Sequence, residues 1–158
     1  MSQTKLVFGY EVPIYRCQLV RETSLTLADR PVVRNPEDVA RLLADHLQGV
    51  DRENFVSILL DTKNKVIGIT TVSVGILDSS LVHPREVYKP AILCNAASLV
   101  VGHNHPSGDP SPSVEDTRIT KRLHEAGEIL GIDLLDHIVV GDGTEPLRWV
   151  SLKERGVI

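Results

Sequence analysis

The chain has 158 residues, 42% of them apolar, which is enough to bury a substantial core as one domain without disulfides. Its 21 acidic and 17 basic residues leave a net charge of -4 with no basic run, which argues against the electrostatic attraction that dominates nucleic-acid affinity. No apolar run reaches the length of a membrane span, Lys5 and Glu11 interrupt any signal-peptide pattern, and Cys17 and Cys94 form no CxxC pair, so a reducing cytoplasm is expected.

Residues 1–34 show little helical periodicity. Segments 14–20 and 24–27 look extended, so this part is read as an N-terminal arm or edge strands ahead of a domain over 35–158. Asn35 is placed as an N-cap, followed by Pro36 in the first helical position and by Glu37 and Asp38 at the positive end of the helix dipole. That helix should run to about residue 48, burying Val39, Leu42, Leu43 and Leu47, with Gly49 at its end. Residues 55–60 and 66–74 are β-rich runs around the polar break 61–65, most simply a hairpin. A second helix is expected over 84–95 through Val87, Ala91 and Ile92, with Pro90 in its first turn or bending it. Residues 98–102 suit a short buried central strand. The loop 107–113, stiffened by Pro110 and Pro112, leads to a helix bearing Ile119, Leu123, Ala126 and Leu130 and closed by Gly131. Residues 132–140 and 147–152 should be further strands around the turn Gly141-Asp142-Gly143, giving a three-layer mixed α/β domain without internal repeats.

The chemistry sits between the last two helical and strand patterns, where the chain reads His103-Asn104-His105-Pro106. Two histidines one residue apart at the end of a strand project to the same side of a sheet, so one ion can meet both. Asp116 lies eleven residues after His105, in the first turn of the next helix, where its carboxylate can reach a third ligand position. Three protein ligands leave a fourth position for water, the arrangement of a catalytic zinc. Each residue also has a simpler use. The histidines could cap a strand and loop, and Ser113 to Asp116 also reads as a capping box, in which the acid returns to the N-cap amide. Ser113 can cap with its hydroxyl and still lie close to a metal.

These residues resemble the JAMM, or MPN-plus, metalloprotease signature: His-x-His-Pro, then Ser-x-x-Asp with the serine seven residues after the proline. Five specified residues at fixed spacing recur by chance about once in several million starting positions if each type has a frequency of about one in twenty. The surrounding words HPREVYKPAI, HNHPSGDPSPS and LDHIVVG are similar to the RadC-like branch of bacterial JAB-domain proteins over roughly residues 30–150. The resemblance implies an α/β fold with a curved mixed sheet flanked by helices, of the cytidine-deaminase-like type. It also implies zinc held by His103, His105 and Asp116, and hydrolysis of an amide or isopeptide bond in a protein or peptide substrate. Ser113 is expected to help stabilise the tetrahedral oxyanion. Members take the water proton with an upstream glutamate, at the start of the strand after the first helix. Glu53 is the nearest equivalent, and Glu86 is the rival, although a helix start already favours an acid there. Full-length members usually carry an N-terminal helix-hairpin-helix domain, and no such segment is read here.

The other histidines have weaker claims. His137 reads as a satisfied core imidazole, with contact to the metal site as its lesser use. His46, His83 and His124 have no partner at a useful spacing, and Cys94 reads as a small buried side chain. No autonomous nucleic-acid binding and no membrane partner are expected, and a homodimer is left open. The alternative function is a non-catalytic interaction module associated with DNA repair. A zinc nucleobase deaminase would need His-x-Glu and Pro-Cys-x-x-Cys, which are absent.

Overall fold

The computed structural model describes residues 12–24, 29–75 and 82–158. Its elements are α1 (Pro36–His46), β1 (Asn54–Leu60), β2 (Val66–Val74), α2 (Pro84–Leu93), β3 (Ser98–Asn104), α3 (Val114–Leu130), β4 (Asp133–Val140) and β5 (Trp149–Ser151). The strands form one mixed sheet in the order β2-β1-β3-β4-β5. Only β3 and β4 run parallel, and α3 is the crossover that such a pair requires.

Side-chain alternation divides the core between the two faces of the sheet. Val56, Ile58 and Leu60 of β1 join Val100, Ile138 and Val140 under α1, where they meet Val39, Leu42 and Leu43. Phe55 and Leu59, with Leu99 and Val101, face the other way and pack on Tyr88 and Ala91 of α2 and on Ile119 and Leu123 of α3. Every residue of β1 and β3 is buried, as covering on both faces demands. The expected mixed α/β architecture with flanking helices is therefore the observed one.

Local chemistry explains the boundaries. Asn35 Oδ1 accepts from the Asp38 N–H at 3.0 Å, and α1 ends at His46 with Leu47 as its C-cap, a little before the expected residue 48. Asp61 Oδ1 accepts from the N–H groups of Lys63 and Lys65 at 2.8 and 3.0 Å and closes the hairpin. His83 caps α2, its Nδ1 accepting from the Arg85 N–H at 3.2 Å. Pro90 sits inside α2, beyond its first turn. Only Glu86, at its exposed end, faces the missing N–H, so the helix continues to Leu93. The apolar stripe of α3 stops short of expectation, because Leu130 is 45% exposed. The close contact there is made by Gly127, where a Cβ would lie 2.6 Å from the Ile132 carbonyl oxygen.

Residues 12–24 carry no regular secondary structure, and Val32 makes an isolated bridge to Lys65. The part of the extended segment 24–27 beyond Ser24, like Lys5 and Glu11, lies outside the described residues. Gly102 brings α1 onto the strand that carries the histidines. A Cβ there would collide with the buried Leu43 side chain and approach the Ile138 carbonyl oxygen to 3.0 Å.

Candidate metal centre

β3 continues two residues past its expected end, so His103 is a strand residue facing α3 and is fully buried. His105 follows on the same side, its N–H donating to the Val140 carbonyl at 2.8 Å. The loop after it rests on the end of β4, where Gly141 permits the approach: a Cβ at Gly141 would lie 2.6 Å from the Gly108 carbonyl oxygen. The first turn of α3 then brings Asp116 beneath both rings, 1% exposed.

His103 Nε2 and His105 Nε2 are 3.0 Å apart, and Asp116 offers Oδ1 at 3.4 Å from the first and Oδ2 at 3.8 Å from the second. One ligand atom from each residue can be chosen so that all lie within 4.8 Å of one another. A tetrahedral ion with ligand bonds of ~2.0–2.1 Å needs ligand atoms about 3.3–3.4 Å apart, so the spacing fits such an ion. The far nitrogen of each ring is already engaged. His105 Nδ1 donates to the Asp109 carbonyl at 2.8 Å, and His103 Nδ1 lies 2.8 Å from His137 Nε2. Phe55 stacks on the His103 ring at a centroid distance of 5.9 Å.

The capping box at Asp116 leaves one carboxylate oxygen facing the imidazoles. The Ser113 N–H donates to Asp116 Oδ2 at 2.6 Å, and the Asp116 N–H donates to Ser113 Oγ at 3.0 Å, while Oδ1 is the oxygen nearer His103. Burial alone would push this carboxyl up, but the adjoining His103 ring and the Ser113 amide and hydroxyl outweigh it and hold Asp116 ionised, below the usual carboxylate range. Burial likewise pushes His137 well below the ordinary imidazole range, so this ring is neutral.

Glu53 lies two residues before Phe55, and Phe55 pairs with His103 across the β1–β3 ladder. The ladder stops at that pair, and Glu53 stands just ahead of β1, its carbonyl accepting from the Gly75 N–H at 2.8 Å. Its backbone is bracketed: Asn104 Oδ1 accepts from the Asn54 N–H at 2.8 Å, and Asn104 Nδ2 donates to the Arg52 carbonyl at 3.1 Å. Glu86 is elsewhere, on α2, 3.2 Å from Lys89 Nζ beside a groove formed with Thr70 and Val72. His124 pairs with Glu128 at 3.8 Å on the outer side of α3, and Cys94 packs partly buried against the core.

His137 and Thr120 are the residues that sequence reasoning undervalued. Their signal is the parallel register of β3 and β4, which sets His137 beside Val101 and close behind His103. No spacing within either segment reveals it.

Among the described residues no helix is long and apolar enough to cross a membrane. Residues 33–157 match the family model for the RadC-like JAB domain. A UPF0758 protein of Moorella thermoacetica is 54% identical over 141 residues, covering 89% of this chain and 60% of the relative. A UPF0758 protein of Shouchella clausii is 53% identical over 88% of this chain and 57% of the relative. The chain thus spans somewhat over half the length of these curated relatives. With two imidazoles and a carboxylate converging at the end of a mixed sheet, and the family match running from before α1 to the penultimate residue, the chain belongs to the RadC-like JAB-domain family.

Proposed function

We propose that this domain is a zinc-dependent hydrolase of metallopeptidase type, cleaving an amide or isopeptide bond in a protein or peptide. The observation that carries this proposal is the convergence of His103 Nε2, His105 Nε2 and the Asp116 carboxylate. The donor set of two imidazoles, one carboxylate and no thiolate suits zinc at a site with a free position. His105 keeps 15% of its side chain exposed, which supports access from solvent at that position. When bound there, zinc supplies Lewis acidity and lowers the pKa of a water molecule.

The remaining chemistry falls to the protein. Glu53 takes the proton of the attacking water and returns it to the leaving nitrogen, a role supported by its place two residues before the Phe55–His103 pair and by its clamped backbone. The Ser113 hydroxyl oxygen already accepts from the Asp116 N–H, so its own proton is free to be donated to a developing oxyanion.

The test begins with zinc-supplemented protein, screened against peptide and isopeptide libraries with a chelated control. Glu53→Gln should keep its zinc and lose ~100- to 10,000-fold in turnover on any substrate found. Glu86→Gln should keep its activity, and the opposite pattern at matched zinc occupancy would transfer the base role to Glu86. Tight, salt-insensitive binding of duplex DNA by the isolated chain, with no hydrolysis, would replace the hydrolase with an interaction module associated with DNA repair.

A further inference from the structure

A hydrogen-bonded thread crosses the apolar core behind the metal centre, and its polarity follows from its ends. Thr120 is fully buried on α3, and its Oγ1 lies 2.6 Å from the Asp116 carbonyl oxygen and 2.6 Å from His137 Nδ1. A carbonyl can only accept, so a contact that short requires the hydroxyl proton between the two oxygens. A hydroxyl has one proton. Thr120 Oγ1 therefore accepts from His137 Nδ1–H. His137 is fully buried and its nitrogens meet only Thr120 Oγ1 and His103 Nδ1, with no carboxylate to pair a charge, so the ring is neutral; with Nδ1 protonated it leaves Nε2 as an acceptor, 2.8 Å from His103 Nδ1. His103 must donate from Nδ1, so as a neutral ring it carries its lone pair on Nε2, the atom facing His105 and Asp116.

We propose that Thr120 and His137 are positioning residues for the metal centre, holding His103 in the Nδ1–H tautomer so that its Nε2 lone pair faces the ion. This inference rests on the metal-site reading above. The thread opposes a specific competitor. Without it, the Asp116 carboxylate 3.4 Å away would favour a proton on His103 Nε2 and so occupy the ligand atom. Asp116 acts at both ends of this balance, because its carboxylate is a ligand while its own backbone carbonyl anchors the thread. Phe55 holds the geometry by stacking on His103 with 15° between the planes and meeting His137 edge-on at 5.3 Å. A flipped His103 ring would present a carbon to His137 and another to the site.

The experiment measures the zinc affinity of the whole chain by competition with a chromophoric chelator. His137→Leu and Thr120→Val should each weaken affinity ~10- to 100-fold, the usual cost of losing a partner that orients a ligand. His137→Gln should rescue it to within a few-fold, because its amide oxygen can accept from His103 and its NH2 can donate to Thr120. Thr120→Val is nearly isosteric and carries the test if His137→Leu does not fold. Nitrogen-15 NMR of the imidazoles in metal-free protein gives a second readout, which merely loosened packing would not move. His103 should be protonated at Nδ1 in the parent and in His137→Gln, and lose that preference in His137→Leu or Thr120→Val. A parent chain that binds zinc with affinity unchanged in the folded His137→Leu and Thr120→Val variants would overturn this proposal alone. A parent chain whose neutral His103 carries its proton on Nε2 would do the same. A parent chain that binds no zinc would overturn the metal-site reading and this proposal with it.

Discussion

The two faces of the sheet share the same strands but solve different problems. Beneath α1, Val56, Ile58, Leu60, Val100 and Ile138 meet Val39 and Leu43 in an aliphatic layer. On the opposite face an equally buried layer contains His103, His137, Thr120 and Asp116 among Phe55, Val101, Ile119 and Leu123. Burying such groups costs stability unless each finds a partner, and here the chain of contacts runs unbroken from the Asp116 carbonyl to the imidazoles. The comparison teaches a division of labour. One face stabilises the β3 strand, and the other uses the rigidity of that strand to hold the two imidazoles beside a carboxylate.

The comparison can be broken on either side. The largest effect should come from His103→Ala combined with His105→Ala, which removes two of three ligand atoms while leaving the aliphatic face intact. Metal analysis should fall from one zinc per chain to none, and a folded double variant that retains zinc would refute the ligand assignment. Next in size is Leu43→Ala, on the fully buried face of α1, which should cost ~2–5 kcal/mol in denaturant unfolding while the folded protein still binds one zinc. Gly102→Ala overpacks the junction between the two faces, and its cost should be ~1–3 kcal/mol, since Leu43 must yield and the Ile138 carbonyl cannot. A thermal melt equal to that of the parent would contradict the close approach. The smallest effect is Asn35→Ala, which removes the cap of α1 and should cost ~1 kcal/mol without altering zinc affinity.

The aliphatic face was the more legible in the sequence, because its signals are local. Asn35-Pro36 marks the start of α1, the stripe Val39, Leu42, Leu43 and Leu47 is buried as expected, and β2 occupies the run 66–74. The three metal-ligand candidates were legible for a similar reason, since a fixed spacing from His103 to Asp116 spans one strand end and one helix start. Thr120 and His137 were not, because their contacts depend on how β4 lies beside β3 after a helical crossover. Leu130 misled because helical periodicity continues past the point where α3 leaves the sheet.

Asn104 has a consequence for how this sequence can vary in length. Its side chain points away from the two imidazoles that flank it and grips the Arg52 carbonyl and the Asn54 amide. Insertion or deletion of a single residue within β3 would exchange the faces, turning both rings into the aliphatic layer and the amide toward the carboxylate. The tripeptide is therefore intolerant of length change. Residue-count variation should instead collect at exposed turns such as 61–65, where no ligand follows in the same strand.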